Sequence, residues 1–214
     1  MPEAAVRARE LGFEHIDVSE IDVSEIDVSE IGISGVHAYQ DAVRDLEGNV
    51  VLPVGDVVAL KPTPGCSVPA PPEGEGMWER AVSAYRRCPG MRMEPWPGSV
   101  CDTFDKVVAM LEEVPDLRLL VDVGHVAAWG GDPLELLLWA DHVQLRQATR
   151  GDPQRHVDEG GDVDFAAVLR RLHGLEYRGR LSIEYFDLPE RGWPLEDPAG
   201  HSVALARHIR SLQR

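Results

Sequence analysis

From Met91 to the C-terminus the chain repeats one pattern four times, a short apolar strand followed by an amphipathic helix. "MRMEPW" precedes "DTFDKVVAMLEEV", "LRLLVDV" precedes "DPLELLLWA", "HVQLRQA" precedes "DVDFAAVLRRLHGL", and "RGRLSIEYF" precedes "HSVALARHIRSLQ". Asp132 and Pro133 stand where an N-cap and a first helical residue belong. Four β-then-α units with short connections imply an α/β protein with a parallel sheet and helices outside it. The sheet is either a closed (β/α) barrel or a doubly wound sheet. No glycine-rich phosphate fingerprint follows any strand, which weakens the dinucleotide-binding form of the second.

The first half is less regular. A helix over "PEAAVRARELGF" leads into a strand at "EHIDV"; "GISGVHAY" and "VVALKP" read as further strands and "MWERAVSAYRR" as a helix. That makes about seven strands, with a helix at the start where a barrel would open on a strand. The expectation is a barrel with its first strand missing, in one domain over residues 1–214, since 214 residues at 43% hydrophobic content supply one sizeable core. The Pro/Gly-rich stretch at 61–76, "KPTPGCSVPAPPEGEG", reads as a long loop, either a surface loop or an active-site lid. Residues 16–35 carry three copies of "IDVSE" that decay into "IGISG". A period of five swaps strand faces at every copy and drifts around a helix, so it builds neither a regular strand nor an apolar stripe. Part of the segment from Ile21 to Ile31 is expected to form strand or to lie along the open edge of the barrel.

Charge narrows the partners. Twenty-one basic against 37 acidic residues give a net charge of −16, which repels phosphate backbones and anionic membranes. A small-molecule substrate is expected, with no nucleic acid and no membrane as partner, and a homo-oligomer is open. Cys66, Cys88 and Cys101 form no CxxC pair and fit reduced thiols in the cytoplasm.

Strand parity then selects residues. If Leu117, Leu119 and Val121 face the helices, Asp122 faces the barrel axis. The same alternation sends Arg92 and Glu94, then His142, Gln144 and Arg146, then Ser182 and Glu184 inward. Glu94, Asp122, Gln144 and Glu184 thus converge near the C-terminal strand ends, where barrels carry their chemistry. Three carboxylates and an amide oxygen at one point call for a cation, and all-oxygen ligation suits Mg²⁺ or Mn²⁺, with Zn²⁺ or Co²⁺ as further options.

These residues resemble a family, the xylose-isomerase-like TIM barrels of sugar isomerases, 3-epimerases, hydroxypyruvate isomerases and endonuclease IV. "EPWPGS" resembles the family's glutamate strand, Asp122-Val-Gly-His125 its Asp-x-x-His, "HVDEGGDVDF" the segment before its penultimate helix, and "GRLSIEYF" its final glutamate strand. Gln144, "GGD" ending at Asp132, and Arg155 with His156 are closest to hydroxypyruvate isomerase-like members. The resemblance implies a divalent-metal-dependent isomerase or epimerase of a small sugar or hydroxy-ketoacid, working through an enediolate. Glu94 and Glu184 would be the catalytic proton carriers, Glu94, Asp122, Gln144 and Glu184 the metal ligands. His125, Arg146, Arg155 and His156 would bind substrate. Other readings are a dehydratase or lyase on the same scaffold and a non-catalytic truncated barrel. An endonuclease-like activity is disfavoured, because Gln144 replaces a histidine that its multi-zinc cluster would use.

Overall fold

A computed structural model of the protein describes residues 9–11, 17–19, 49–51, 67–189 and 192–213. Its strands are β1 (Asp17–Ser19), β2 (Asn49–Val51), β3 (Ser67–Pro69), β4 (Arg92–Glu94), β5 (Arg118–Asp122), β6 (Ala140–Leu145), β7 (Gln147–Thr149), β8 (Asp152–Arg155) and β9 (Arg180–Ile183). Its helices are α1 (Met77–Arg87), α2 (Phe104–Glu113), α3 (Val123–Trp129), α4 (Pro133–Leu136), α5 (Phe165–Gly174) and α6 (Pro198–Leu212). Among the described residues, seven strands form one parallel sheet in the order β1-β2-β3-β4-β5-β6-β9. The remaining two, β7 and β8, pair as a separate antiparallel hairpin.

Each helix of the second half starts where local chemistry places it. Thr103 Oγ1 accepts from the Lys106 amide, Asp132 from Leu134, and Asp164 from Ala167. These side chains satisfy amides that have no partner inside the helix. Pro133 is the first residue of α4, as the sequence implies. The apolar stripe of each helix faces the sheet: Val107 and Met110 in α2, Phe165, Val168 and Leu172 in α5, Leu205 and Ile209 in α6. On the sheet side they meet Met93, Leu119, Val121, Val143 and Leu145, all buried in the same core. Leu119 through Asp122 are buried one after another, as befits a strand covered on both faces.

Three features depart from expectation. The strand β2, Asn49–Val51, lies where no strand is expected, and three residues are too short to show an alternation. The stretch at 61–76 contains a strand, β3, whose Val68 is fully buried and which pairs with β4 from Ser67↔Arg92 to Pro69↔Glu94. Its surrounding prolines and glycines obscure it, and a three-residue strand ending on proline has no alternation to read. The segment after β6 continues past a break into the β7–β8 hairpin, turning at Gly151, where φ is +81°. The first expected helix beyond residues 9–11, the strands "GISGVHAY" and "VVALKP", and the repeat from Ile21 to Ile31 lie outside the described residues. So does a decision on a missing first strand. In the first pentapeptide, Asp17–Ser19 is β1, at one end of the sheet order and parallel to β2.

Leu119 is fully buried and Leu138 is 57% exposed. Leu119→Ala is expected to lower unfolding free energy by about 2–5 kcal/mol, from lost burial and the cavity it leaves. Leu138→Ala should stay within about 0.5 kcal/mol of the parent. Urea denaturation of the two variants checks both figures.

Candidate functional site

Asp122 ends β5 and begins α3, and its two carboxylate oxygens do different work. Oδ1 accepts hydrogen bonds from the amides of Gly124 (2.7 Å) and His125 (3.2 Å), capping the helix. Oδ2 forms an ion pair with the Arg146 Nη2. An asparagine would serve the first purpose, but only a carboxylate serves the second. A Cβ on Gly124 would come within 3.1 Å of Arg146 Cβ and the Arg146 carbonyl, so glycine lets the helix start directly against Arg146.

Arg146 is the first residue past β6 and is fully buried. Its Nη2 also lies 3.3 Å from Glu184 Oε2, and its guanidinium carbon is 5.0 Å from the centre of the Phe186 ring. Burial works against the charge, but Asp122, Glu184 and Glu94 outweigh it, and the guanidinium pKa is raised above its ordinary value. Arg146 is therefore a permanent internal cation.

Glu184 lies one residue beyond β9, and its amide still donates to the Leu145 carbonyl at 3.3 Å, which holds it to the end of β6. Gln144 Nε2 donates to Glu184 Oε1 at 3.3 Å. The Glu184 side chain is 23% exposed, against 5% for Glu94 and 0% for Asp122, so it is the carboxylate that meets solvent. Glu94 ends β4, and its Oε1 lies 3.2 Å from His125 Nδ1. The same nitrogen is 3.9 Å from Asp122 Oδ2. The contact with Glu94 is not aligned as a hydrogen bond, and both ring nitrogens of this buried histidine lack a hydrogen-bond partner.

Parity therefore points the expected residues to one place, but they divide there. Donor atoms of Glu94, Asp122 and His125 lie within 4.8 Å of one another, close enough to share a metal ion. Gln144 and Glu184 bond to each other and to Arg146 instead. Three carboxylates, Glu94, Asp122 and Glu184, thus share the neighbourhood of one guanidinium, Arg146.

Arg155 and His156 make their contacts elsewhere. Arg155 pairs with Asp152 (3.6 Å) and Glu159 (3.8 Å). His156 Nδ1 accepts from the Asp158 amide, and its ring meets that of His201 edge-on at 4.7 Å. Tyr185 links them toward the site, donating to the Arg155 carbonyl and accepting from the Gln147 amide, and the hairpin pairs Gln147 with Arg155. Burial pushes the Tyr185 phenol up to about 12. No periodicity or motif in the sequence signals the cover over the site. The Trp193 ring is 6.2 Å from that of His125 and 5.8 Å from that of Phe186. Gln154 of the hairpin fixes this cover by donating to the carbonyls of Phe186 (2.8 Å) and Trp193 (3.3 Å).

Residues 58–211 match the model of the xylose isomerase-like TIM barrels. The chain belongs to that family. The "Putative L-ribulose-5-phosphate 3-epimerase SgbU" of Escherichia coli (strain K12) is 39% identical over 80 residues, which are 33% of this chain and 28% of that relative. A solved L-ribulose 3-epimerase superposes with a TM-score of 0.67 at 15% identity, covering 100% of this chain and 90% of its own. A xylose isomerase-like TIM barrel protein from Mycobacterium smegmatis, solved in complex with magnesium, gives 0.65 at 14% identity, covering 98% and 87%. At these identities the two structures establish the family's fold. Among the described residues no helix is long and apolar enough to cross a membrane.

The two uses of Asp122 are separable. Asp122→Asn keeps the cap and removes the ion pair, and should cost about 3 kcal/mol because Arg146 retains a single close carboxylate partner. Asp122→Ala loses the cap as well and should cost about 1 kcal/mol more. Equal stability of the two variants in urea would show that the cap contributes nothing.

Proposed function

We propose that this barrel is a divalent-metal-dependent isomerase or epimerase of a small sugar or hydroxy-ketoacid. The observation that carries the reading is the convergence of Glu94, Asp122 and Glu184 at the C-terminal ends of β4, β5 and β9, with the guanidinium of Arg146 between two of them. In a parallel barrel that end is where substrates meet the strand-borne chemistry. The names of the E. coli relative and of the solved epimerase support the substrate class.

The donors present suit a hard or borderline divalent ion, since they are carboxylates with one amide, Gln144, and one imidazole, His125. The orphaned nitrogens of His125 are the structural sign of a missing partner. When bound, the ion supplies Lewis acidity that acidifies the carbon beside a substrate carbonyl. The protein supplies the proton carriers. One of Glu94 and Glu184 takes the proton from that carbon, leaving the electron pair in the enediolate. The second glutamate then returns a proton to the opposite face of that carbon, re-forming the original carbonyl. Alternatively, a glutamate returns it to the former carbonyl carbon while the proton of the adjacent hydroxyl passes to the former carbonyl oxygen. Return to the other face gives an epimer, and return to the neighbour gives an isomer.

Glu184 is suited to such exchange, because it is the carboxylate in contact with solvent and is held by Arg146 and Gln144. Phe186 and Trp193 keep bulk water from the buried part of the site.

A panel of small aldoses, ketoses and hydroxy-ketoacids incubated in heavy water with Mg²⁺ or Mn²⁺ tests this. Deuterium should enter the carbon beside the carbonyl of one of them, and EDTA should stop it. Loss of water from the substrate would instead place the protein among dehydratases. Absence of exchange across the panel would sink the isomerase reading.

A further inference from the structure

The acidic residues of this chain are not spread evenly over the barrel. Connections that follow a strand lie at the end that carries the site, and the described ones are 70–76, 95–103, 146–164, 185–189 and 192–197. They hold eleven acidic residues against three arginines, and every one of the eleven is exposed or half-buried. At the other end, the connections 88–91, 114–117 and 175–179 hold Asp116 and Glu176 against Arg178. The strand starts there add Asp141 against Arg92, Arg118 and Arg180. The acidity is thus concentrated around the mouth of the site. Outside the described residues, the stretches 20–48 and 52–66 contain nine acidic residues, with Arg44 and Lys61 as their basic ones. Within a Debye length of about 8–10 Å each exposed carboxylate repels an approaching anion and leaves a neutral molecule alone.

An anionic substrate also needs a cation that is free to meet it. The three arginines of this end are engaged. Arg146 bridges Asp122 and Glu184 and has no exposed surface. Arg155 lies between Asp152 (3.6 Å) and Glu159 (3.8 Å). Arg150 packs on Gly130, the C-cap of α3, where a Cβ would come within 3.1 Å of its Nε. The cover offers aromatic surface instead: Phe186 and Trp193 are half-buried, with ring centroids 5.8 Å apart. Aromatic walls with a few polar groups suit the C–H face of a sugar, and they give a phosphate or carboxylate nothing to pair with.

We propose that the substrate of this site is an uncharged ketose or aldose, taken in preference to a sugar phosphate or a hydroxy-ketoacid. This rests on the isomerase reading above and narrows it. It departs from the phosphorylated sugar in the name of the E. coli relative, of whose length the matched residues are 28%.

The test sets free ribulose, xylulose and fructose each beside its terminal phosphate, with hydroxypyruvate as the carboxylate, using the full chain and Mg²⁺ in heavy water. Binding is read by saturation-transfer NMR, which needs no turnover, and reaction by deuterium entry beside the carbonyl. The best free ketose should bind at least about tenfold more tightly than its phosphate or hydroxypyruvate at low ionic strength. Added salt should narrow the gap, because it screens the field. Asp158 and Glu159 have side chains 84% and 62% exposed and stand outside the site. Asp158→Lys combined with Glu159→Lys should tighten binding of the phosphates and leave that of the free ketose unchanged. A phosphate or hydroxypyruvate that binds as well as the best free ketose would overturn the proposal and leave the isomerase reading standing. A free ketose that binds preferentially without exchange would uphold the choice of ligand and sink the isomerase reading. Failure of every compound to bind would overturn both.

Discussion

The site is organised around a single buried cation. Arg146 has no contact with water, and a guanidinium in that position is tolerable only where carboxylates meet it. It finds them on two other strands, Asp122 at the end of β5 and Glu184 just past β9, while it sits itself at the end of β6. Three neighbouring strands are thus tied at their C-terminal ends by one charge. Through the second oxygen of Asp122 the same network sets the start of α3, and through that start the place of His125.

Much of this was legible in the sequence, because side-chain alternation is a geometric rule. The inward set Glu94, Asp122, Gln144, Arg146 and Glu184 follows from which neighbours are apolar, and the structure buries or half-buries each of them. The lower part of the interior obeys the same parity: His142 meets Ser182 at 2.7 Å, and Arg92 reaches Ser67 at 2.9 Å. Parity says which way a side chain points, but not how far it reaches. It could not show that the long Arg146 would arrive between two carboxylates, nor that Asp122 would divide its oxygens between a helix cap and an ion pair. Both depend on side-chain length and on the register of β5 against β6, where Asp122 lies opposite Gln144.

What stayed illegible has no periodicity to read. The two-stranded hairpin of β7 and β8 is a local excursion after β6, and it draws Arg155 and His156 into contacts with Asp152, Glu159, Asp158 and His201. Matching a spacing to a family's motif assumes that the intervening chain follows the same path. Here "LRQATRGDPQ" forms the β7–β8 hairpin. The strand β3 escaped for a related reason, since three residues ending on a proline carry no pattern.

The hairpin nevertheless matters to the chemistry. Gln154 holds the carbonyls of Phe186 and Trp193, and those two rings cover Arg146 and His125. Covering the cation lowers the local dielectric, which strengthens its hold on Asp122 and Glu184 and equally raises the cost of leaving His125 without a partner. Glu184 escapes this enclosure in part, with nearly a quarter of its side chain in solvent. A proton carrier must exchange with water between turnovers, whereas a cation site benefits from exclusion of water. The exposure thus rises from fully buried Asp122 to partly open Glu184 across one cluster of charges, with Arg146 between the two, so under the proposed function the two tasks would fall on different carboxylates.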